Sequence, residues 1–579
     1  MLKRLGFLGR SKRMTQRTIR SIGWTLTAAA TYAAVFVLPY RFPLREPVLS
    51  DTWTAGANNQ VATVAVALVS IVVTLLCWYR TTDSPQSEIP ETLSLRYLFA
   101  GMLLAILWTA GLGWAVARGH IYWGDEGYFL NQLRTGLVFH KAIYTEFEFA
   151  YGPLLYLWPA AWIRLLAPLG FSSTAAYLVS LALMQSAGLA LVFYTVRALP
   201  MRRSYQICAF VLLTLGTFNS LLGLNYSVFR FILPFAALIL LSQQRTIAKA
   251  ALVAAFSQLA CLATSPEVGI AFGAAAVAYA IYGCLHSGSR WLLAALAPVA
   301  GALLFNAMVG PAYFFTLSHM AKGGFNLLPR PSPHIIVLLI ATVVLAPLAV
   351  SRFARNRSNG AMMVAIYIAA LGMLPAALGP CDAIHTFFDG IGLYLLSLVA
   401  LNTVPVSWRR AGIIVVALVF VVAEARDFSL DQHRLSLLLR PHAVHDDWGF
   451  DQAALRNAIG TAQLSAPILA PQRVIEDLTR TGQYVPDYFC GWVAVWDRES
   501  EQRKISDMRR TEFALVAFTD PIVPDPARDR EIQMLMRMGF ARHPPRPDYI
   551  RGALLDAELG SHWIARGRFG DYELFQRSN

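Results

Sequence analysis

The segment RGHIYWGDEGYFLNQLRTGLVFHKAIYTEFEFAYGPLLY, residues 118–156, sets two carboxylates side by side, Asp125 and Glu126, a few residues after an apolar run ends. A carboxylate near a membrane boundary can take the proton of a hydroxyl or meet a cation, and it is costly enough there to call for a reason. Tyr122, Trp123, Tyr128 and Phe129 flank the pair. Such aromatic crowding suits a site at headgroup depth, whereas a loop that carries acids for solvation is more polar. Successive residues of a helix point about 100° apart, so Asp125 and Glu126 do not both face one substrate.

Three other segments could complete a constellation. The turn ATSPEVG places Glu267 between two apolar runs. It is either a functional carboxylate or helix-start chemistry, with Ser265 as cap, Pro266 in the first turn and an acid at the positive end of the dipole. GPCDAIHTFFDG supplies Asp382, His385 and Asp389, and the D-x-x-H spacing lets that pair share one helical face. A divalent cation is the alternative occupant there, although two or three O/N groups without a second His or a Cys pair make a poor zinc site. Cations able to hold an anion are few. Arg230, in NYSVFRFILP, either meets an anion or a carboxylate or snorkels to the headgroups. Lys322, on the glycine-containing SHMAKGGFNLLPRP, ranks second, and Lys141, beside His140, ranks third.

These residues need elements to hold them, and the composition says of what kind. Of 579 residues, 56% are hydrophobic and 15% charged, against roughly 45–50% and about 25% in soluble proteins. The excess is uneven: residues 1–425 carry 29 Lys and Arg against 13 Asp and Glu, while residues 426–579 carry 20 against 22. A polytopic α-helical membrane protein with a C-terminal soluble α/β domain is the fold class that fits. About 20 apolar residues cross a bilayer core. Candidate spans begin near 21–40, 60–79, 97–117, 172–195, 206–224, 228–242, 250–264, 268–285, 291–310, 335–351, 361–379, 390–406 and 411–425, about thirteen in all. Residues 153–168, with Trp158, Trp162, Arg164 and a central Pro159, belong instead on the outer membrane surface.

Orientation follows from the basic residues, which cytoplasmic loops retain. The tail 1–20 holds Lys3, Arg4, Arg10, Lys12, Arg13, Arg17 and Arg20 and no acid, and alternation from it places the later basic clusters inside too. Glu46, Asp51, Asp125, Glu126, Glu146, Glu148, Glu267, Asp382 and Asp389 then fall outside. The expected organisation is a cytoplasmic tail 1–20, a membrane domain 21–425 with a large outer loop 118–171, and an extracytoplasmic domain 426–579, in a cytoplasmic (inner) membrane. Because the basic excess sits in short loops, the net charge of +14 gives no reason to expect a nucleic-acid partner. Of six cysteines, Cys381 and Cys490 are the two placed outside, the one pair that could form a disulfide.

W-x-D-E-G-Y-F, Trp123 to Phe129, followed by Y-G-P-L-L-Y-L-W, Tyr151 to Trp158, resembles the multi-spanning GT-C glycosyltransferases, which include protein O-mannosyltransferases and lipid A aminoarabinose transferases. The resemblance is strongest over 118–203, extends to the other spans by topology, and hardly reaches the tail; the first two helices look like an addition. It implies a polyprenyl-phosphate-linked sugar donor, a glycan, lipid or protein acceptor, and an acidic catalytic residue in the first large outer loop. A sugar on a polyprenyl phosphate already has a good leaving group. What remains is one carboxylate to take the acceptor's proton and cations to hold phosphate, without the second carboxyl of a glycosidase. On that reading Asp125 is the base, Glu126 and Glu267 orient the acceptor, and Arg230, Lys322 and Lys141 hold the donor phosphate. Asp382, His385, Tyr128 and Tyr151 shape the cavity. The resemblance fixes no cofactor, a divalent cation being the one candidate.

In the tail, SAPILAP and EFALVAF read as buried strands, PQRVIEDLTRTG, DRESEQRKISDMRR and DREIQMLMRMGF as helices, and GDYELFQR as a closing strand. YVPDYFCGWVAVWD is either aromatic core or a glycan contact. Two rival functions remain. A transporter or flippase of lipid-linked sugar needs as many spans, but it places its charges near the midplane of repeated halves, which this pattern lacks. A scaffold would use the tail as its binding module.

Overall fold

The computed structural model describes residues 21–43, 52, 56–80, 93–117, 125–218, 221–322, 326–329, 331–354, 359–403, 452–467, 472–491, 497–517, 553–570 and 572–578. Among them, nine helices are long and apolar enough to cross a membrane: Asn59–Tyr79, Leu95–Trp114, Ser173–Ala198, Leu224–Ser242, Ile247–Thr264, Pro266–Ser287, Ser289–Val309, Pro333–Phe353 and Gly360–Leu378. A tenth candidate is broken, Ala383–Asp389 meeting Ile391–Asn402 at 64°. The chain is a multi-pass membrane protein. Its outward leucines show why: Leu68, Leu75, Leu76, Leu103, Leu104, Leu107, Leu293, Leu296 and Leu303 are all more than half exposed, a surface that water would not tolerate and lipid does.

The remaining expected spans fare differently. Residues 21–36 are helical. The run expected at 206–224 forms a 13-residue helix, Arg203–Leu215, closed by the single turn Gly216–Phe218, where Gly216 and polar Thr217 interrupt its apolar length. The expected span 411–425 lies outside the described residues. Residues 153–168 form the helix Pro153–Leu166, started by Pro153 and too short to cross. It packs against Ser173–Ala198 and Ile247–Thr264, and Trp158 Nε1 donates to the Ser180 carbonyl at 2.9 Å.

Polar side chains tie spans together where lipid provides no hydrophobic drive. Ser70 Oγ lies 2.6 Å from the Tyr367 hydroxyl, and Thr74 bonds the same hydroxyl at 3.0 Å. Asn59 donates to the carbonyls of Leu327 at 2.8 Å and Gly379 at 2.9 Å, pinning two connecting segments to the start of one span.

The tail builds a five-stranded mixed sheet, with β1 Leu464–Ser465, β2 Tyr484–Val485, β3 Phe513–Ala517, β4 Trp563–Phe569 and β5 Tyr572–Arg577. Their order is β2-β1-β3-β5-β4. The parallel pairs β1/β2 and β1/β3 are reached through helices Gln472–Arg480 and Arg498–Met508, as parallel strands require a crossover. β5 pairs antiparallel with β3 and β4. Of the expected strands, EFALVAF and GDYELFQR are in place as β3 and β5, while SAPILAP contributes only Ser465 to the two-residue β1; two of the three expected helices are in place, and residues 529–540, expected as the third, lie outside the described residues. Asp497 and Ser500 cap Arg498–Met508 reciprocally. Tyr488, Phe489 and Cys490 are buried, so this part of the aromatic segment is core. All six cysteines are free thiols, Cys381 and Cys490 included.

Candidate active site

Asp125 opens the helix Asp125–Leu137, its backbone N–H donating to the Leu221 carbonyl at 2.9 Å. It is half-buried, whereas Glu126, turned away by the helical step, is buried. The Glu126 charge acts on the buried Tyr177, whose hydroxyl donates to the Leu222 carbonyl at 2.8 Å. Asn225 holds the Asp125 carboxylate: its Nδ2 donates to Asp125 Oδ2 at 2.7 Å and to the Tyr151 hydroxyl at 3.0 Å. Both protons of one amide are thereby committed. Gly223 permits the approach, since a Cβ there would collide with Asn225 Oδ1 and lie 2.9 Å from Asp125 Oδ2.

Tyr151 reaches this place because of the residues after it. Gly152 sits so close to the end of Ile247–Thr264 that a Cβ would lie 2.6 Å from the Leu262 carbonyl, and its N–H donates to the Thr264 carbonyl at 3.1 Å. Pro153 then starts the next helix. The Y-G-P triplet is thus a joint between the loop 138–151 and a span. Tyr128 belongs to the same aromatic cluster with Phe129, Phe149 and Tyr151, and its hydroxyl accepts from the Ala150 N–H at 3.3 Å. Burial holds the Tyr128 and Tyr151 phenols protonated well above their ordinary range.

From Asn225 the network continues to Arg230, whose Nη1 donates to the Asn225 carbonyl at 2.7 Å. Arg230 is 8% exposed. Its Nε donates to Glu267 Oε1 at 3.0 Å and its Nη2 to the same oxygen, and its guanidinium lies 4.9 Å from the Tyr151 ring centroid. The guanidinium therefore meets a carboxylate rather than snorkelling. Ser265 occupies the cap position before Pro266–Ser287 but makes no capping bond; its hydroxyl donates to Glu267 instead.

A second arm leaves from Tyr226, on the same short turn as Asn225, Leu224–Tyr226. The Tyr226 hydroxyl is 3.3 Å from His385 Nε2, and His385 Nδ1 is 2.9 and 2.8 Å from the two oxygens of Asp382. Asp382 also caps the helix Ala383–Asp389 through the His385 N–H at 2.7 Å. Burial alone would raise the Asp382 carboxyl, but the charge and hydrogen bonds of His385 outweigh it and hold the group below the usual carboxylate range. Leu222 and Cys381, which precede the two arms, both have φ above +50°, a backbone state of about 1–3 kcal/mol cost that tends to persist at functional sites. Among the described residues, no three His, Cys, Asp or Glu side chains gather as a metal site.

Of the residues singled out by sequence, the structure brings together Asp125, Tyr151, Arg230 and Glu267, with Asp382 and His385 joined through Tyr226. Lys322 is elsewhere, paired with Asp497 of the tail at 2.8 Å. Lys141 donates to the Pro486 carbonyl at 3.3 Å. Sequence reasoning passed over Asn225, Tyr226 and Tyr177. The signal for the first two was the polar Asn-Tyr-Ser between apolar runs in GLNYSVFR.

No protein-family model matches the chain, and no curated relative matches it. Similar solved structures include ArnT from Cupriavidus metallidurans, solved bound to undecaprenyl phosphate, at 11% identity and a TM-score of 0.44 over 83% of this chain and 98% of that one. Arabinofuranosyltransferase AftD from Mycobacteria is similar at 14% and 0.41 over 86% of this chain, which spans 41% of that protein's length. The Archaeoglobus fulgidus oligosaccharyltransferase is similar at 12% and 0.40, over 79% and 68%. All three are GT-C glycosyltransferases. These likenesses are distant.

Proposed function

We propose that the chain is a membrane glycosyltransferase that moves a sugar from a polyprenyl-phosphate-linked donor to a glycan, lipid or protein acceptor on the outer side of the cytoplasmic membrane. The observation that carries this reading is the bridge made by Asn225, whose side chain holds the Asp125 carboxylate and whose carbonyl holds the Arg230 guanidinium. A proton acceptor and a cation are so placed on one turn. The acceptor hydroxyl gives its proton to Asp125 as its oxygen bonds to the anomeric carbon. The bond from that carbon to the phosphate oxygen breaks, and the electron pair leaves on the phosphate, which the Arg230 charge favours. Glu267 keeps Arg230 in place between turnovers, and Tyr151 supplies an aromatic face beside the guanidinium. Lys322 and Lys141 would act on the donor only after leaving their partners in the tail.

The test uses membranes containing the full-length chain and its own lipid-linked donor, with release of free polyprenyl phosphate measured by mass spectrometry. Asp125→Asn keeps the size and the Asn225 contact but accepts no proton, and release should fall by about 10²–10⁴-fold. Unimpaired release in that variant would end the assignment. Cysteine labelling should place residues 138–151 and the tail on the outer face, with residues 1–20 inside.

A further inference from the structure

Arg230 is the fixed member of its ion pair. Its Nη1 is held by the Asn225 carbonyl at 2.7 Å, and the ring centroids of Tyr151 and Phe231 lie 4.9 and 4.6 Å from its guanidinium carbon. Those rings are themselves tied, Tyr151 by Asn225 Nδ2 at 3.0 Å and Phe231 by stacking on Phe388 at 4.8 Å. Glu267 is the movable member. It is the second residue of Pro266–Ser287, and its side chain is 24% exposed against 10% for Arg230, so the open side of the pair is the carboxylate. It also has a second place to stay. Ser265 donates its hydroxyl to Glu267 instead of capping the helix, and the first turn of a helix favours an acid with or without a guanidinium beside it.

Arginine holds a phosphate best through two parallel N–H groups on one edge. Here both groups, Nε and Nη2, are committed to a single oxygen of Glu267. With Nη1 on a carbonyl and two rings against the guanidinium, a phosphate takes that edge by displacing Glu267. The chemistry of the transfer gives the displacement a use. A sugar-bearing phosphate diester carries one negative charge, whereas the monoester left on the carrier carries about 1.5 to 2 near neutral pH. An uncontested arginine therefore holds the product more tightly than the donor, a condition in which product release limits turnover.

We infer that Glu267 is a placeholder for the carrier phosphate, yielding the Arg230 edge when the donor binds and retaking it to expel the emptied carrier. The exchange rests on the transferase reading above. In the carrier-free chain Glu267 satisfies the buried guanidinium; in the loaded chain the phosphate does, and Glu267 stays with Ser265 at the helix start. Apparent affinity for the carrier is lowered by the fraction of chains in which the edge is already taken. Glu267 is thus a positioning residue that acts on the carrier through Arg230.

The experiment titrates a short-chain polyprenyl phosphate into the full-length chain in phosphatidylcholine nanodiscs, reads the affinity from the rise in unfolding temperature, and follows sugar transfer through the first and later turnovers. Glu267→Gln keeps the shape but loses the charge, and it should bind the carrier at least about tenfold more tightly than the wild type. A residue that only held the fold would weaken binding on substitution. Transfer by that variant should show a burst of one sugar per chain and then a slow phase set by carrier release. Glu267→Asp draws the charge one methylene back from the edge and should shift the affinity in the same direction by a smaller factor, which keeps the test decisive if Glu267→Gln does not fold. Carrier affinity that is unchanged or weaker in the folded variant overturns the exchange, as does a gain shared by polyprenol, which lacks the phosphate. Inorganic phosphate that matches the carrier at equal concentration assigns the edge to free phosphate and overturns it too. If Arg230→Met with Glu267→Leu binds the carrier as the wild type does, or Asp125→Asn transfers sugar at the wild-type rate, the transferase reading itself has failed; if both behave as that reading requires and Glu267→Gln binds no tighter, the exchange alone has failed.

Discussion

Arg230 and Glu267 lie 37 residues apart in sequence and form an ion pair that is nearly withdrawn from solvent, the two side chains being 10% and 24% exposed. A buried pair is weak evidence of stability in itself, but removing one partner strands the other charge, at about 3–5 kcal/mol. Glu267→Gln should therefore lower the unfolding temperature of the full-length chain in nanodiscs clearly. Arg230→Met with Glu267→Leu should recover most of that stability while carrier release stays lost. Stability that remains low in the double variant would mean that the pair holds the fold as well as the site. Asp382 offers a pH-dependent counterpart. Its carboxyl is held below the usual range by His385, so the folded form binds its proton less readily than the unfolded chain does. The stabilisation is complete above the unfolded value of about 3.9 and is lost as pH falls through the lower folded value. The gap in unfolding temperature between wild type and Asp382→Asn should be widest between about pH 4 and 6.5, where carboxylate and imidazole are both charged, and close as pH falls below about 4; a gap that persists in acid would refute the linkage.

Helix starts carry much of the site's geometry, and they differ in how far a sequence reveals them. Pro153 and Pro266 mark their helices locally, and a run such as Asn59–Tyr79 is legible because length and apolarity alone define a span. Asp125, Arg230, Glu267 and the Asp382–His385 pair were legible for the opposite reason, each being expensive at membrane depth unless it has a partner. The partners were not legible. Asn225 meets Asp125 across 100 residues, and Tyr226 meets His385 across 159. A neutral amide or phenol brings no charge penalty that would single it out. Lys322 looked like a donor ligand because its partner, Asp497, stands 175 residues further on in a different domain. That aspartate serves two elements at once, capping Arg498–Met508 and pairing with Lys322. The ion pair is one-third exposed on the lysine side, so Asp497→Asn, which still caps, should change stability by no more than about 1 kcal/mol. Asp497→Ala should cost about 1 kcal/mol more and speed hydrogen exchange at the first amides of that helix. Equal behaviour of the two variants would show that the cap contributes nothing.

At the scale of the whole molecule, the loop that follows the helix Asp125–Leu137 is completed by the tail. Residues 138–151 contain little regular structure, and several of their polar groups find partners in the segment 484–490. The Glu148 N–H donates to the Tyr488 carbonyl at 2.7 Å, the Tyr488 hydroxyl to the Tyr144 carbonyl at 3.2 Å, and Lys141 to the Pro486 carbonyl. Phe139 packs into the tail's core, while Cys490 packs into the loop's aromatic cluster beside Phe147 and Phe149. The two parts thus share a core. Tyr488 itself is steadied by the Arg503 guanidinium, 3.8 Å above its ring, and by its N–H on Asp507 at 2.9 Å. Because Tyr144 in turn donates to the Tyr151 carbonyl at 2.7 Å, loosening of the tail reaches the residue that shares Asn225 with Asp125. Deleting residues 430–579 should leave the spans folded but expose the loop's backbone groups to water, since buried groups without partners do not stay ordered. Amides 142–151 should then exchange at least about tenfold faster, a shift of some 1.4 kcal/mol in opening, while those of Ile247–Thr264 keep their protection. Carrier release should fall, yet what remains should still depend on Asp125. A scaffold whose tail is its binding module would instead lose everything on deletion and be indifferent to Asp125→Asn, and loop amides that stayed protected without the tail would remove the coupling altogether.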